Sequence, residues 1–596
     1  MMRIITMIDW FHPSIVFIAG SILIPFLRGK VRDAYLMMIP ILGVATIFNM
    51  SPGTYWTYNF LGGSLTFGAV DKLSIVFGWV FTIASFISIV YALHVKESGQ
   101  HVAAFLYVGG SLGVTFAGDF FTLFIFWELM AFSSAYLIFA RREKEAIKAG
   151  YRYILVHIFG GVCLLGGVML HYMKTKSTAV GPLVQDGSLS FYLILIGVML
   201  NAAVPPLHAW LTDAYPEGTV TGSVFMSAFT TKTAVYVLVR VFPGTDLLMY
   251  LGTIMALYGV VYAVLENDCR RLLAYHIISQ VGYMVAGVGI GSDMSLNGSV
   301  SHAFAHILYK GLLFMGAGAV IQMTGKRKLT ELGGLYKTMP ITLVLYMIGG
   351  FAISAFPLFS GFVTKSMVVA GAAHDHKPAI ALLLTLASAG TFLHTGLKLP
   401  YYMFFGKDSG LKAKEPPLNM LIAMGIAAFL CIGIGVLPGP LYALLPYPVH
   451  FDPYTGDHVT SALGILLFTG LGFFMLLKKL DPEPTISVDT DWVYRKGSRL
   501  FMWFVNKPIV IYENYLAEIY NTWFSRLTLV LSNFFARIID VRGIDGIVNG
   551  VAGFFISLAG TLRLSSTGLV RNYAFTMLIG GTAIIAYYLF AYLTRQ

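Results

Sequence analysis

Charge is scarce in this 596-residue chain. Asp, Glu, Lys and Arg together make up 12% of it, about half the share of a soluble globular domain. Set against 57% hydrophobic residues, that scarcity excludes a soluble enzyme. It implies a polytopic membrane protein whose backbone groups are satisfied inside helices. Cysteine is nearly missing as well. The three that occur, Cys163, Cys269 and Cys431, lie far apart and offer no CxxC pair, iron–sulfur run or disulfide framework. No small-residue cleavage site follows the first apolar stretch, so no cleavable signal peptide is expected. Low-complexity sequence is also lacking. Acidic residues are outnumbered, 29 against 40 Lys and Arg, for a net charge of +11.

What is present in quantity is apolar sequence of membrane-spanning length, about 20 residues at a time. Crossings are expected near 12–28, 33–50, 73–94, 101–118, 119–140, 150–172, 190–212, 219–243, 245–265, 272–290, 297–323, 338–372, 378–406, 417–437, 459–478 and 571–594. Window 338–372 is too long for one straight crossing and contains Pro357 and Gly361. Window 190–212 contains Pro205-Pro206. Both are expected to be broken helices, which free backbone groups and often mark a translocation site.

The positive charge alternates from loop to loop. Arg28/Lys30/Arg32, Lys96, Arg141/Arg142/Lys144/Lys148/Arg152, Arg270/Arg271, Lys326/Arg327/Lys328/Lys337, Lys407/Lys412/Lys414 and Lys478/Lys479 fall on one side. The other side has only Arg3, Lys174, Lys176 and Lys377. The positive-inside rule places the basic loops in the cytoplasm and the N-terminus outside. The charge is thus a topology signal and no nucleic-acid partner is expected. The expected location is the cytoplasmic membrane of a prokaryote.

Against this background a few ionisable residues stand out. Ser301-His302-Ala303-Phe304-Ala305-His306-Ile307-Leu308-Tyr309-Lys310 carries three of them at four-residue intervals. On a helix each such step turns about 40° and rises about 6 Å. His302, His306 and Lys310 therefore share one stripe at membrane depth, where titratable groups are costly and functional by default. Glu128 and Lys232 lie at the centres of other helices. Lys365 follows the Pro357 break, and Lys398 with His394 occupies the next helix. His157 and His208 are candidates whose alternative is a packed, hydrogen-bonded histidine. Asp119 starts its helix and reads as an N-cap. Lys398 has snorkelling toward the cytoplasm as its alternative. His302 and His306 have metal-ligand spacing but lack the Glu of HExxH, so no metal or other cofactor is expected.

After Leu480 the pattern changes. Residues 481–508 read as a cytoplasmic linker, and 509–562 as an amphiphilic stretch. As one helix, that stretch would be about 80 Å long, far longer than a bilayer is thick, and would have to lie along the membrane. Two helices broken around Gly543, Gly546 and Gly550 are the alternative.

The segments Phe126-Trp127-Glu128-Leu129-Met130, Pro206-Leu207-His208-Ala209-Trp210-Leu211-Thr212-Asp213-Ala214, Asp268-Cys269-Arg270-Arg271-Leu272-Leu273-Ala274-Tyr275, Ser279-Gln280-Val281-Gly282-Tyr283 and His302 to Lys310 occur in that order. Together they resemble the antiporter-like subunits. These are the large membrane subunits of respiratory complex I, of Mrp-type cation/proton antiporters and of energy-converting membrane hydrogenases. Gly543-Ile544-Asp545-Gly546-Ile547-Val548-Asn549-Gly550 and Ser566-Thr567-Gly568-Leu569-Val570-Arg571-Asn572-Tyr573 resemble the tail of the distal complex I subunit, which favours a single in-plane helix.

The resemblance implies an all-α polytopic membrane protein with about 14 core transmembrane helices. It implies N-terminal helices over 1–100, two inverted five-helix repeats at 101–243 and 245–406, further crossings in 407–480, a lateral helix and an anchor at 571–594. It also implies that Glu128 and Lys232 are the acid and bridging lysine of the first half, that His302, His306 and Lys310 connect the halves, and that Lys365 is the terminal lysine. One position departs: where relatives have a lysine seven residues before His208, this chain has Asn201, which cannot pair with or modulate Glu128. A proton path mainly through the second repeat is therefore expected. The expected activity is translocation of protons, alone or against Na⁺, within a multisubunit membrane complex. A non-pumping scaffold subunit is the alternative. No redox or hydrolytic site is visible, so any redox chemistry would belong to partner subunits.

Overall fold

The computed structural model describes residues 11–60, 63–484, 489–565 and 568–595; Arg3, Ser566 and Thr567 lie outside them. Thirteen of its helices are long and apolar enough to cross a membrane. The first part contains α1 (Pro13–Leu23), α2 (Gly29–Phe48), a β-hairpin (β1, Gly53–Phe60; β2, Gly63–Val70) and α3 (Lys72–Ala92). The hairpin went unread in the sequence because it lies between two apolar windows. It is tied down where Asp119 accepts from the Thr66 amide at 2.6 Å.

Two blocks of similar build follow. The first has α4 (Ser98–Phe116), α5 (Phe120–Phe139), α6 (Lys144–Thr175), α7 (Leu189–Asn201), α8 (Ala209–Ala214), α9 (Val220–Ala228) and α10 (Thr230–Val241). The second has α11 (Asp246–Leu265), α12 (Cys269–Ile290), α13 (Asp293–Thr324), α14 (Pro340–Ile353), α15 (Ser360–His374) and α16 (Pro378–Thr391), which continues in wide π turns over Phe392–Lys398. Asp119 caps α5 through the Phe121 and Thr122 amides, and Asp268 caps α12 through the Arg270 and Arg271 amides. Each capping residue forms a β-bridge with the loop beyond the next helix, Asp119 with Ala179 and Asp268 with Lys328. Asp119 to Asp268, Lys144 to Asp293, Thr175 to Thr324 and Ala179 to Lys328 are all separations of 149 residues. Both blocks thus contain a 32-residue helix followed by a broken one.

Helix α13 is buried at every residue from Ser295 to Val320. Close packing around it depends on small residues. Along the α11–α12 seam, Gly252, Gly259, Gly282 and Gly289 each bring the backbone so near that a Cβ would sit 2.0–2.5 Å from a neighbouring amide nitrogen. Beyond the blocks lie α17 (Leu418–Val436), α18 (Gly439–Leu444) and α19 (Gly456–Met475).

Contacts divide the chain into two compact units, Met1–Asp491 and Trp492–Gln596. In the second unit, α20 (Asp491–Phe504), α21 (Val510–Glu518), α22 (Ser525–Phe534) and α23 (Gly546–Ser565) are joined by π turns. Arg495–Leu564 is one 70-residue helical run. Its length of about 105 Å rules out a simple crossing. The run is not interrupted at Gly543, which lies in a π turn, or at Gly546 and Gly550, which lie in the regular turns of α23. It also corrects the linker expected at 481–508, since helix begins at Asp491: Trp492 to Phe504 form an amphiphilic helix whose charges hid it. The last helix, α24, is Val570–Leu593.

Candidate functional site

The broken helices appear where proline and glycine placed them, and a further break appears at Phe229, between α9 and α10. Each break exposes carbonyls at a helix C-terminus, the negative end of its dipole. Lysines use them. Lys232 Nζ donates to the Ser227 carbonyl at 2.6 Å, just before the Phe229 break. Lys365 Nζ donates to the Ile353 carbonyl at 2.8 Å, at the end of α14. Lys398 Nζ donates to the Val264 carbonyl at 2.5 Å, in the last turn of α11. All three are buried. Lys310 is fully buried on α13, and its Nζ has no hydrogen-bond partner among the described residues. A Cβ built on the adjacent Gly311 would meet no heavy atom within 4 Å, so the chain beside Lys310 borders open space. None of these four lysines forms an ion pair with a carboxylate among the described residues.

Histidines lie between the lysines. His302 contacts the Thr364 hydroxyl through Nδ1 at 3.1 Å and the Tyr309 hydroxyl through Nε2 at 3.3 Å. Thr364 is next to Lys365, whose ammonium lies 5.2 Å from the centre of the Tyr283 ring. Both ring nitrogens of His306 are buried and without hydrogen-bond partners among the described residues. The His302 and His306 rings are 6.2 Å apart. At an effective dielectric near 20, two positive charges at that spacing repel by about 3 kcal/mol. The two rings therefore favour holding one proton between them over two. Lys365 also lines a cavity of about 280 Å³ with Ser354, Ser366, Thr385, Ser388 and His458.

His276 was not singled out in the sequence, although it lies inside the apolar window of α12. It is fully buried, and both nitrogens lack partners. It is within electrostatic reach of Lys310, Lys365 and His394, and its ring is 6.5 Å from that of His394. From there the π turns bring Lys398 to the end of α11, near Glu266. The wide turns rotate His394 and Lys398 away from a regular four-residue register, so sequence spacing alone misplaces them.

The first block is less continuous. Glu128 is half-buried, makes no ion pair among the described residues, and packs against Gly161, where a Cβ would approach its Oε1 to 2.1 Å. Ile125 and Phe132, one turn either side on α5, are exposed, so Glu128 lies at the edge of the bundle with its Oε1 turned in against α6. Asn201 is fully buried, with neither amide atom hydrogen-bonded. His157 bonds the Tyr153 carbonyl at 2.8 Å and packs edge-on to Trp210 at 4.6 Å, a packed histidine. Asp119 is an N-cap. The charged motif residues form a rim instead: Arg152 pairs with Asp213, Arg141 and Arg327 both pair with Glu217, and Arg327 also pairs with Asp268.

Residues 117–391 match the family described as NADH:quinone oxidoreductase/Mrp antiporter, TM. An uncharacterized protein of Methanocaldococcus jannaschii is 30% identical over 355 residues, covering 54% of this chain and 72% of that protein. The Na(+)/H(+) antiporter subunit A1 of Staphylococcus haemolyticus is 28% identical over 499 residues, 72% of this chain, and the chain spans only 62% of that relative's length. A chain of the membrane-bound sulfane sulfur reductase (MBS), an archaeal respiratory membrane complex, superposes with a TM-score of 0.67 at 23% identity. The superposition covers 96% of this chain and 99% of that one; at such identity it establishes a shared fold. The chain is an integral membrane protein and belongs to the antiporter-like subunit family, with the membrane subunits of NADH:quinone oxidoreductase and of Mrp antiporters.

Proposed function

We propose that this chain translocates protons across the membrane as one subunit of a larger complex, alone or in exchange for Na⁺, the pairing named for the staphylococcal relative. The observation that carries this reading is the set of buried lysines without carboxylate partners, Lys232, Lys310 and Lys365. A scaffold would gain nothing from buried ammonium groups, each of which is costly at membrane depth unless compensated. Groups that gain and lose protons have a use for such sites, because desolvation brings a lysine's two protonation states closer in free energy.

In this reading the path runs from Lys232 through His306 to Lys310. It then branches, through His302 and Thr364 to Lys365, and through His276 and His394 to Lys398. Glu128 and Asn201 make the first block the weaker conductor, since neither supplies a paired charge. The basic loops face the cytoplasm and the N-terminus the other side, on the charge asymmetry. Partner membrane subunits are supported by the second unit, where Phe501, Trp503, Trp523, Phe554 and Phe555 are exposed, more apolar surface than a soluble helix tolerates.

The test is ion-driven proton movement in inverted vesicles containing the assembled complex, followed with a pH-sensitive dye. Lys310→Ala is expected to reduce the rate at least about tenfold with the complex intact. Retained transport in Lys310→Ala alongside its loss in Glu128→Gln would sink the second-block path. Wild-type rates in both would point to a scaffold.

A further inference from the structure

Asp489 belongs to the polar segment just before α20, yet its side chain is 1% exposed. Donors from three separate elements converge on it. His208 Nε2, beyond the α7 break, lies 3.1 Å from Oδ1; the Tyr275 hydroxyl donates to Oδ2 at 2.6 Å; and the Tyr258 hydroxyl donates to Oδ1. The Thr490 amide adds a fourth bond at 2.5 Å. Tyr258, Tyr262 and Tyr275 stack in series, with ring centres 4.4 and 5.3 Å apart, and His208 packs edge-on to Tyr258 at 4.6 Å. Tyr275 is six residues inside α12, about 9 Å from its first turn. The carboxylate therefore dips well into the body from the rim of basic loops.

A segment held only mechanically could insert an apolar side chain there. A buried carboxylate instead demands donors and a counter-charge, and the charged partner available is His208. The second nitrogen of that ring, Nδ1, is buried and without a hydrogen-bond partner among the described residues. The bond made by one imidazole nitrogen fixes the role of the other. The remaining titratable or charged groups around the pair are Tyr258 and Tyr262 on α11, Tyr275 and Arg271 on α12, Glu266 in the preceding turn, and Lys398 beyond Glu266.

We infer that Asp489 is a positioning residue for His208: it holds the Nε2 side of the ring and leaves Nδ1 free to exchange a proton with the interior. His208 is then a proton-transferring group between the basic rim and the path, and its competence depends on the segment that leads into the C-terminal helices. One residue, Thr490, separates Asp489 from α20. This inference rests on the translocation reading.

The test uses the assembled complex in vesicles, with Asp489→Asn, Asp489→Glu, His208→Gln and the Asp489→Asn/His208→Gln double variant, and Lys310→Ala and Glu128→Gln in parallel. Asp489→Asn is expected to slow transport at least tenfold, since the imidazole loses the carboxylate that holds its Nε2 side. Asp489→Glu should restore most of the rate. The double variant should be no slower than His208→Gln alone. A wild-type rate in Asp489→Asn, no rescue by Asp489→Glu, or losses that multiply in the double variant, would reduce Asp489 to an anchor. Should Asp489→Asn fail to assemble, Tyr275→Phe leaves the carboxylate in place and removes one donor; a wild-type rate there overturns the inference. Lys310→Ala and Glu128→Gln separate the two readings: transport lost in Lys310→Ala but normal in Asp489→Asn rejects only the role of Asp489, whereas transport kept in both Lys310→Ala and Glu128→Gln rejects translocation itself.

Discussion

Three buried lysines meet the same difficulty in the same way. An ammonium in the membrane interior needs compensation, and a carboxylate would lock it in one charge state. A helix-end carbonyl supplies partial negative charge without a full ion pair. Lys232, Lys365 and Lys398 each take one such carbonyl, while Lys310 takes none. The His276 ring lies 6.5 Å from that of His394 and within electrostatic reach of Lys310. If it passes protons, His276→Phe, which keeps the volume and removes both nitrogens, should slow vesicle transport by about tenfold or more while the complex is recovered at its normal yield. A loss below twofold would remove it from the path.

At the scale of elements, the breaks are held by close backbone contact. Gly361, in the first turn of α15, is packed so tightly that a Cβ would lie 1.8 Å from the Ala352 carbonyl oxygen. Gly361→Ala must push α14 and α15 apart and is expected to cost about 1–3 kcal/mol, read as a lower unfolding temperature in detergent. A separate element-level device is the clamp at the start of α3. Asp71 caps that helix through Ser74 and accepts two bonds of 2.8 Å from Arg240 at the end of α10. Burial alone would raise its carboxyl, but the Arg240 bonds and charge, with those of Ser74, outweigh burial and hold it below the usual carboxylate range. A depressed folded-state value stabilises the fold above the ordinary carboxylate range, and that contribution is lost as pH falls through the lowered value. Melting temperature should therefore fall less steeply between about pH 5 and pH 3 in Asp71→Asn than in the wild type. Parallel slopes would mean that the clamp contributes nothing.

At the scale of the whole molecule, the chain consists of a packed membrane body and a C-terminal unit whose helices bury almost nothing within the chain. The body has its own core, and the helices of the C-terminal unit are exposed along their described length. A chain ending after Asp491 is expected to insert and to keep a protease-resistant body. It should also lose partner subunits on purification in mild detergent. Recovery of the full complex with that truncated chain would mean the long helix holds nothing together.

Much of this was legible in the residues. Apolar length determined the crossings, because hydrocarbon leaves a backbone few options besides a helix. Pro357, Gly361 and Pro205-Pro206 determined two breaks, because proline removes a helical hydrogen bond. The four-residue spacing of His302, His306 and Lys310 determined their shared stripe, a local property of one helix. Only the tertiary structure decided who faces whom. The Phe229 break has no proline or glycine to announce it. The turns that reposition His394 and Lys398 are set by packing, and His276 gains meaning only from Lys310 and His394 on other helices. Asp489 is 281 residues from His208 in sequence and looks like any linker aspartate. Pairings across such distances follow from how helices pack against one another, which a local pattern of residues does not encode.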